Sequence, residues 1–340
     1  MIFCTLFNSA YLLQGIALYH SLERVRGEKF TLYVLCMDDF TYDVLAKLRY
    51  PSMVLVSLQE IEDDRMRVVR SSRTVGEYCW TCTTPWLLYL MQRHSAGTVI
   101  TYVDADLYFY SDPIVVLEEL GNGSILIHEH DFAPEHATLE AAAGRFNVGL
   151  AAFRNDDEGR RCLERWMDQC LDECVMDPLA GKCGDQNYLD EWPELYSGLV
   201  ISSNPGVGLA PWNVSKHRVR ESFGGPPTVD GQPVVFYHYH STRPMRRRSG
   251  IQPVIMVQGD YRISPDVKRI IYLPYAASIW ASGKSGMARL APTVPAIYHE
   301  VSNQQILFIL GPFALPKKYN PWMIKTLYGI DPNRDDVDAV

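Results

Sequence analysis

Apolar and polar positions alternate along the first half of the chain in two different rhythms. Short β-favouring runs at 2–7 (IFCTLF), 30–36 (FTLYVLC), 53–58 (MVLVSL), 98–103 (TVITYV) and 124–128 (SILIH) read as strands. Between them, 11–25 (YLLQGIALYHSLERV), 41–48 (TYDVLAKL) and 77–94 (EYCWTCTTPWLLYLMQRH) repeat apolar residues at helical spacing. The order βαβαβαβ predicts an α/β fold with a mostly parallel sheet, right-handed crossovers and helices on both faces. In such sheets ligands bind beyond the carboxyl ends of the strands.

The second half continues with a short apolar strand at 146–153 (FNVGLAAF). It is followed by one helical face of Cys162, Leu163, Trp166, Met167, Cys170, Leu171, Cys174 and Val175, whose composition is that of core. GDQNYLDEW at 184–192 reads as a short helix, 199–213 as a strand with a Pro/Gly loop, and 233–240 (PVVFYHYH) as a further strand. Beyond residue 243 the character shifts to a basic RPMRRR run, with helical pieces around 264–281 (SPDVKRIIYLPYAASIWA) and 303–310 (NQQILFIL). This pattern predicts an α/β domain over 1–243 and a helical C-terminal extension over 244–340. The extension is the expected place for acceptor or peripheral membrane contact.

Composition narrows the function. At 47% hydrophobic and 21% charged residues the 340-residue chain is globular in character. A formal charge of −8 argues against general nucleic-acid affinity, which needs a surplus of Lys and Arg on one face. No apolar stretch reaches the ~20 residues a spanning helix requires. The first residues read as a strand rather than a signal peptide, so a cytoplasmic protein, peripheral at most at the inner membrane face, is expected. Eight cysteines are then most simply reduced thiols. Cys79 with Cys82, and Cys170 with Cys174, have spacings that leave a zinc or iron–sulfur site open as the lesser alternative to core packing.

Chemistry concentrates in two places. The strand VITYV runs into Asp104 and Asp106, two carboxylates that would face one side of an extended chain. Like charges so close call for a cation between them, and a hard divalent ion, Mn²⁺ or Mg²⁺, suits carboxylate oxygens. Late in the chain, VVFYHYHSTR places His238 and His240 on one face of a strand leading to Arg243. An imidazole could join the metal there, and Arg243 or one of Arg246 to Arg248 could clamp phosphate. Taken singly, either His reads more readily as a structural residue, and the basic run reads equally as a solvated or membrane-facing loop.

With the DxD, FNVG at 146–149, GDQNYLDEW at 184–192 and HYHSTRP at 238–244 in this order, the chain resembles the GT-A glycosyltransferases. The closest group is the retaining family 8 galactosyltransferases and glycogenin-like enzymes, over residues 2 to 244. The resemblance implies a metal-dependent transfer of a sugar from a nucleoside diphosphate sugar, expected to be a UDP-sugar, to a hydroxyl of a glycan or glycolipid. It implies that Asp104, Asp106 and His238, with His240 in reserve, hold the metal. Asn8 and Tyr11 would contact the donor base, Asn147 the donor sugar, and Arg243 the diphosphate. Asp185 and Gln186 would stand beside the anomeric carbon. Read without the family, Asn147 is a turn residue and Asp185 a helix N-cap. Thr83 stands where the family carries a Lys or Arg. An inverting reaction would instead need a base such as Glu129 or Asp131 in HEHDF.

Two other classes compete. A haloacid-dehalogenase-like phosphatase also uses a DxD, but favours Thr or Val where this chain has Tyr108. A non-catalytic sugar-nucleotide-binding protein would have no reason to keep the acids, the histidine and Asp185–Gln186 together.

Overall fold

The computed structural model describes residues 1–246, 253–282 and 306–310. Strand β1 (Ile2–Phe7), helix α1 (Leu12–Arg26), β2 (Thr31–Cys36), α2 (Asp39–Leu48), β3 (Met53–Ser57), α3 (Val75–Met91) and β4 (Val99–Val103) follow one another as the rhythm predicts. After a short β5 (Leu107–Phe109) come β6 (Ile125–Glu129), β7 (Phe146–Arg154), α4 (Asp157–Asp172) and β8 (Leu199–Ile201). The central seven-stranded sheet has the order β8-β6-β7-β4-β1-β2-β3. All neighbours are parallel except β7, which runs antiparallel to both β4 and β6. The expected mixed α/β architecture, a mostly parallel sheet flanked by helices, is what the chain adopts.

Alternation along β1 and β2 builds the two layers. Phe3, Phe7, Leu32 and Val34 pack towards α1, whereas Cys4, Leu6 and Leu35 join Trp86, Leu87 and Leu90 of α3 and Trp166 of α4 on the other face. The α4 face read as core is core: Cys162, Leu163, Trp166, Cys170 and Cys174 are all buried. A Thr74–Glu77 capping box starts α3, and Asp156 caps α4 by accepting from the Gly159 N–H.

The chain passes from β1 through α1 to β2 on one side, and returns from β3 through α3 to β4 on the other. Strand order therefore reverses between β1 and β4, and a crevice opens where their carboxyl ends diverge. The loops carrying Asn8–Tyr11 and Asp104–Asp106 both leave the sheet at this point.

Three sequence expectations change. The strand foreseen over 233–240 is only Phe236–His238 (β9), paired with the three residues of β5; the chain then turns at Ser241, whose φ is 57°. The stretch after 243 is not wholly helical. Thr242–Arg246 (β10) and Pro253–Gln258 (β11) form an antiparallel ribbon, and Ile306–Leu310 (β12), foreseen as part of a helical piece, adds a third strand. Its apolar ILFIL run pairs antiparallel with Pro253–Gln258, a non-local pairing that local periodicity could not foresee. The helix α5 (Leu273–Ser282) is present as expected and packs on α1. The boundary placed at 243/244 falls inside β10. Arg247 and Arg248 lie outside the described residues, as does most of the segment to which acceptor and membrane contact were assigned.

Candidate active site

The two acids meet through a turn rather than through strand alternation. After Val103 the backbone leaves the sheet, and the Leu107 N–H donates to the Asp104 carbonyl at 3.1 Å. Asp104 is itself anchored, its N–H donating to the Gly149 carbonyl of β7 at 2.9 Å. Strand β5 then pairs with β9 in a register that sets His238 opposite Leu107, and the Tyr239 N–H donates to the Asp106 carbonyl at 2.9 Å. A three-residue ladder thus delivers a distant imidazole to the acids.

His238 Nε2 lies 3.2 Å from Asp106 Oδ1 and 3.7 Å from Asp104 Oδ2. One ligand atom from each residue fits within 4.8 Å of the others, and among the described residues no other His/Cys/Asp/Glu group is as compact. Two carboxylate oxygens and an imidazole nitrogen form a hard, oxygen-dominated donor set that could hold Mn²⁺ or Mg²⁺. His240 stands apart. It is exposed, its ring set against Trp212 at 5.5 Å and Tyr261 at 6.3 Å.

Charge in this cluster is internally balanced. Burial works against the His238 cation, yet Asp106 and Asp104 outweigh it and hold its pKa above the ordinary value. Burial pushes both carboxyls up while His238 pulls both down; Asp106 ends below the usual range and Asp104 above it. The Tyr102 hydroxyl also donates to Asp104 Oδ1 at 2.9 Å.

Behind His238 lies the FNVG stretch. The Gly149 N–H donates to Asn147 Oδ1 at 2.9 Å, which turns the amide oxygen towards His238 Nδ1 at 3.2 Å. Asn147 Nδ2 donates to His130 Nε2 at 3.1 Å and to Gln186 Oε1 at 3.3 Å. All four hydrogen-bonding positions of Asn147 are thereby used within the protein. Gly149 explains its own place in the motif: a Cβ there would stand 2.6 Å from Asn147 Oδ1 and 2.8 Å from His238 Nδ1.

On the β1 side, Asn8 Oδ1 accepts from the Ala10 N–H and caps the 3₁₀ turn Ser9–Tyr11. Arg243 donates to the Tyr11 hydroxyl and sets its guanidinium 5.0 Å from the Tyr11 ring centroid. The structure thus brings together the two residues assigned by resemblance to base and diphosphate.

Asp185 lies on the opposite wall. Gly184 just before it has φ +62°, and a Cβ there would meet the Trp80 ring at 2.7 Å, so only glycine makes the turn that aims Asp185 inward. Asp185 is 5% exposed, its side chain makes no cap hydrogen bond, and Oδ2 has no partner. Burial pushes its carboxyl far above the ordinary carboxylate range, and the neighbouring Cys174 and Asp104 add to the shift. Thr83, buried in α3, stabilises its charged form only in part.

No family model matches the chain. The Bacillus subtilis (strain 168) protein YfnF, described only as uncharacterized, is 35% identical over 247 residues, covering 71% of this chain and 81% of YfnF. The chain belongs to the YfnF family. YfnD of the same organism, also described as uncharacterized, is 28% identical over 284 residues, with 82% of this chain and 88% of YfnD covered. Among solved structures, the galactosyltransferase LgtC with donor and acceptor sugar analogues shares 15% identity at a TM-score of 0.45, over 71% of this chain and 87% of that one. Mouse xyloside xylosyltransferase 1 shares 15% at 0.44, over 70% and 96%. Scores below 0.5 leave the function of the YfnF-family chain to be argued from its own residues.

In this YfnF-family protein the other acids of HEHDF are occupied. Glu129 pairs with Arg145, and Asp131 with Lys216 and His217. The histidines of the same stretch, which sequence reasoning passed over for its acids, prove more telling. His128 and His130 are 2% and 3% exposed, and burial holds their pKa values down at about 4 and about 3. The signal was there: His-x-His at 128–130 mirrors His-x-His at 238–240. All eight cysteines are free, and among the described residues none joins a metal-sized group.

Proposed function

We propose that this protein is a glycosyltransferase that moves a sugar from a nucleoside diphosphate sugar, a UDP-sugar by the resemblance, to a hydroxyl of a glycan or glycolipid acceptor. The observation that carries the reading is the Asp104–Asp106–His238 group at the crevice between β1 and β4. It stands within reach of the Tyr11–Arg243 pair on one side and of the buried Asp185 on the other.

Asp104, Asp106 and His238 would hold Mn²⁺ or Mg²⁺, which supplies Lewis acidity to the leaving diphosphate when bound. The chain's own residues do the rest. Arg243 offers a second, permanently charged neutraliser for phosphate oxygens, and Tyr11 offers a ring face to a flat base. Burial and the nearby Cys174 and Asp104 raise the Asp185 pKa. A carboxyl placed there would be favoured in its charged form only where positive charge develops at the sugar beside it. Gln186, held by Asn147 and by Cys183 Sγ, stands next to it. Retention is the stereochemistry the resemblance implies; of the two carboxyls weighed as an inverting base, Glu129 pairs with Arg145 and Asp131 with Lys216 and His217.

The test is a thermal-shift and calorimetric screen of nucleotide sugars with and without Mn²⁺, followed by slow donor hydrolysis. Metal-dependent stabilisation by one donor, with release of its sugar, supports the reading. The absence of any metal-dependent response across the panel overturns it. Rapid phosphate release from a generic ester, abolished by Asp104→Asn, would establish a phosphatase in its place.

A further inference from the structure

Metal binding by an imidazole requires a bare nitrogen aimed at the ion. The tautomer that leaves Nε2 bare carries its proton on Nδ1, and something must favour it. Nε2 of His238 faces the Asp106 and Asp104 carboxylates at 3.2 and 3.7 Å, and the groups behind the ring fix what Nδ1 does. Gly149 N–H can only donate, so the atom of Asn147 facing it must be the amide oxygen. That same oxygen faces His238 Nδ1, which must therefore donate. On the far side, the Gly144 carbonyl can only accept, so His130 Nδ1, 3.0 Å away, carries the proton and His130 Nε2 is left to accept from Asn147 Nδ2. Burial keeps His130 neutral at physiological pH, which preserves that acceptor.

We propose that His130 and Asn147 are positioning residues that fix the Nδ1–H tautomer of His238 and so create its metal-binding Nε2. They form a relay from the Gly144 carbonyl through two buried side chains to the ligand. The inference rests on the reading of Asp104, Asp106 and His238 as a metal site, and it assigns Asn147 a task different from touching the donor sugar. His130 is locked in place for this task, stacked on Phe132 at 4.7 Å and edge-on to Trp212 at 5.3 Å. Flipping the Asn147 amide would present an N–H to the Gly149 N–H and an oxygen to the Gln186 oxygen. Both groups thus oppose the orientation that would move the His238 proton to Nε2.

Two measurements test it. Long-range ¹⁵N–¹H correlation spectra of the metal-free protein are expected to show Nδ1 protonated in both His238 and His130. A bare His238 Nδ1 overturns the relay without reference to any metal. Calorimetric Mn²⁺ titration, with no nucleotide or sugar present, is expected to show about 10- to 100-fold weaker binding for Asn147→Leu and a smaller loss for His130→Phe. Asn147→Asp keeps the oxygen facing His238 Nδ1 but loses the N–H that His130 Nε2 and Gln186 Oε1 accept, so its Mn²⁺ affinity should fall between those of the wild type and Asn147→Leu. Wild-type Mn²⁺ affinity in Asn147→Leu overturns the relay, because a residue that only touches the sugar would leave metal binding unchanged. If the leucine variant does not fold, the wild-type tautomer and the His130→Phe titration decide. Wild-type protein that binds no Mn²⁺ removes the metal reading itself, and the tautomer spectrum then still judges the relay.

Discussion

Two acidic regions face one crevice, and they are built on opposite principles. Around Asp104 and Asp106 each carboxylate has counter-charge or donors in place: His238 between them, Tyr102 on Asp104, and Arg243 in the field of Asp106. Asp185, buried near Cys174 and Thr83, has an orphaned oxygen and a carboxyl pKa pushed well above the ordinary range. The first region is ready to receive a cation before any ligand arrives. The second is desolvated, which disfavours its charged form where no positive charge stands beside it. Compensation suits binding, and withheld compensation suits a step in which charge appears.

The largest effect should come from breaking the compensated side. Asp106→Asn removes a ligand oxygen and the main partner of His238; sugar transfer is expected to fall by about 10³-fold, roughly 4 kcal/mol of transition-state stabilisation. Mn²⁺ binding, followed by calorimetry, should fall with it. Retained Mn²⁺ affinity would mean that the ion sits elsewhere.

Asp185→Asn sharpens the contrast from the other side. Turnover should drop by about 10²-fold or more while Mn²⁺ and nucleoside diphosphate affinities hold, since Asp185 takes no part in the compensated cluster. Stability should move the opposite way. A carboxyl whose folded pKa lies above its unfolded value contributes fully only below the unfolded value, and that contribution is lost as pH rises through the folded value. At neutral pH the amide is free of that penalty, so the melting temperature of the variant should equal or exceed that of the wild type.

Acid should attack the support behind the compensated cluster. His128 and His130 have folded pKa values of about 4 and about 3 against an ordinary 6.5. The unfolded chain therefore takes up their protons first. Stability is complete above about pH 6.5 and is lost by about 1.4 kcal/mol per pH unit for each histidine as pH falls towards those values. Denaturant midpoints measured from pH 7 to pH 4.5 should show this slope, and His128→Phe should reduce it.

The smallest effect belongs to a compensated pair in water. The Asp131 and Asp230 carboxylates hold the His217 pKa up, so their contribution is present below the unfolded pKa and lost as pH rises through the folded one. Both carboxylates are about half exposed. His217→Gln should therefore cost under about 1 kcal/mol at pH 5.5 and nothing measurable at pH 8. A larger loss would show that compensation matters as much at the surface as in the crevice.

Local rules were legible where they act locally. Short apolar runs marked β1 to β4 because both sides of the sheet are covered, and the 3.6-residue rhythm marked α1 to α4 because each helix buries one face. Asp104 and Asp106 stood out because a buried strand ended on them, yet the reason given, alternation along an extended chain, is replaced by a turn closed on the Asp104 carbonyl. The reach of the strand through His240 was overestimated, because β9 can be no longer than its partner β5. His130 was passed over, since nothing local tells a buried acceptor from a surface histidine.

The amino-acid sequence alone determined the layers of the fold and the residue types available for chemistry, since both follow from hydrophobic period and side-chain pKa. Only the tertiary structure decided which of two histidines meets the acids, which tautomer that histidine takes, and which of several carboxyls is left buried and unpaired. Those outcomes depend on cross-strand register and on burial by distant residues, and neither quantity is written in any short stretch of the chain.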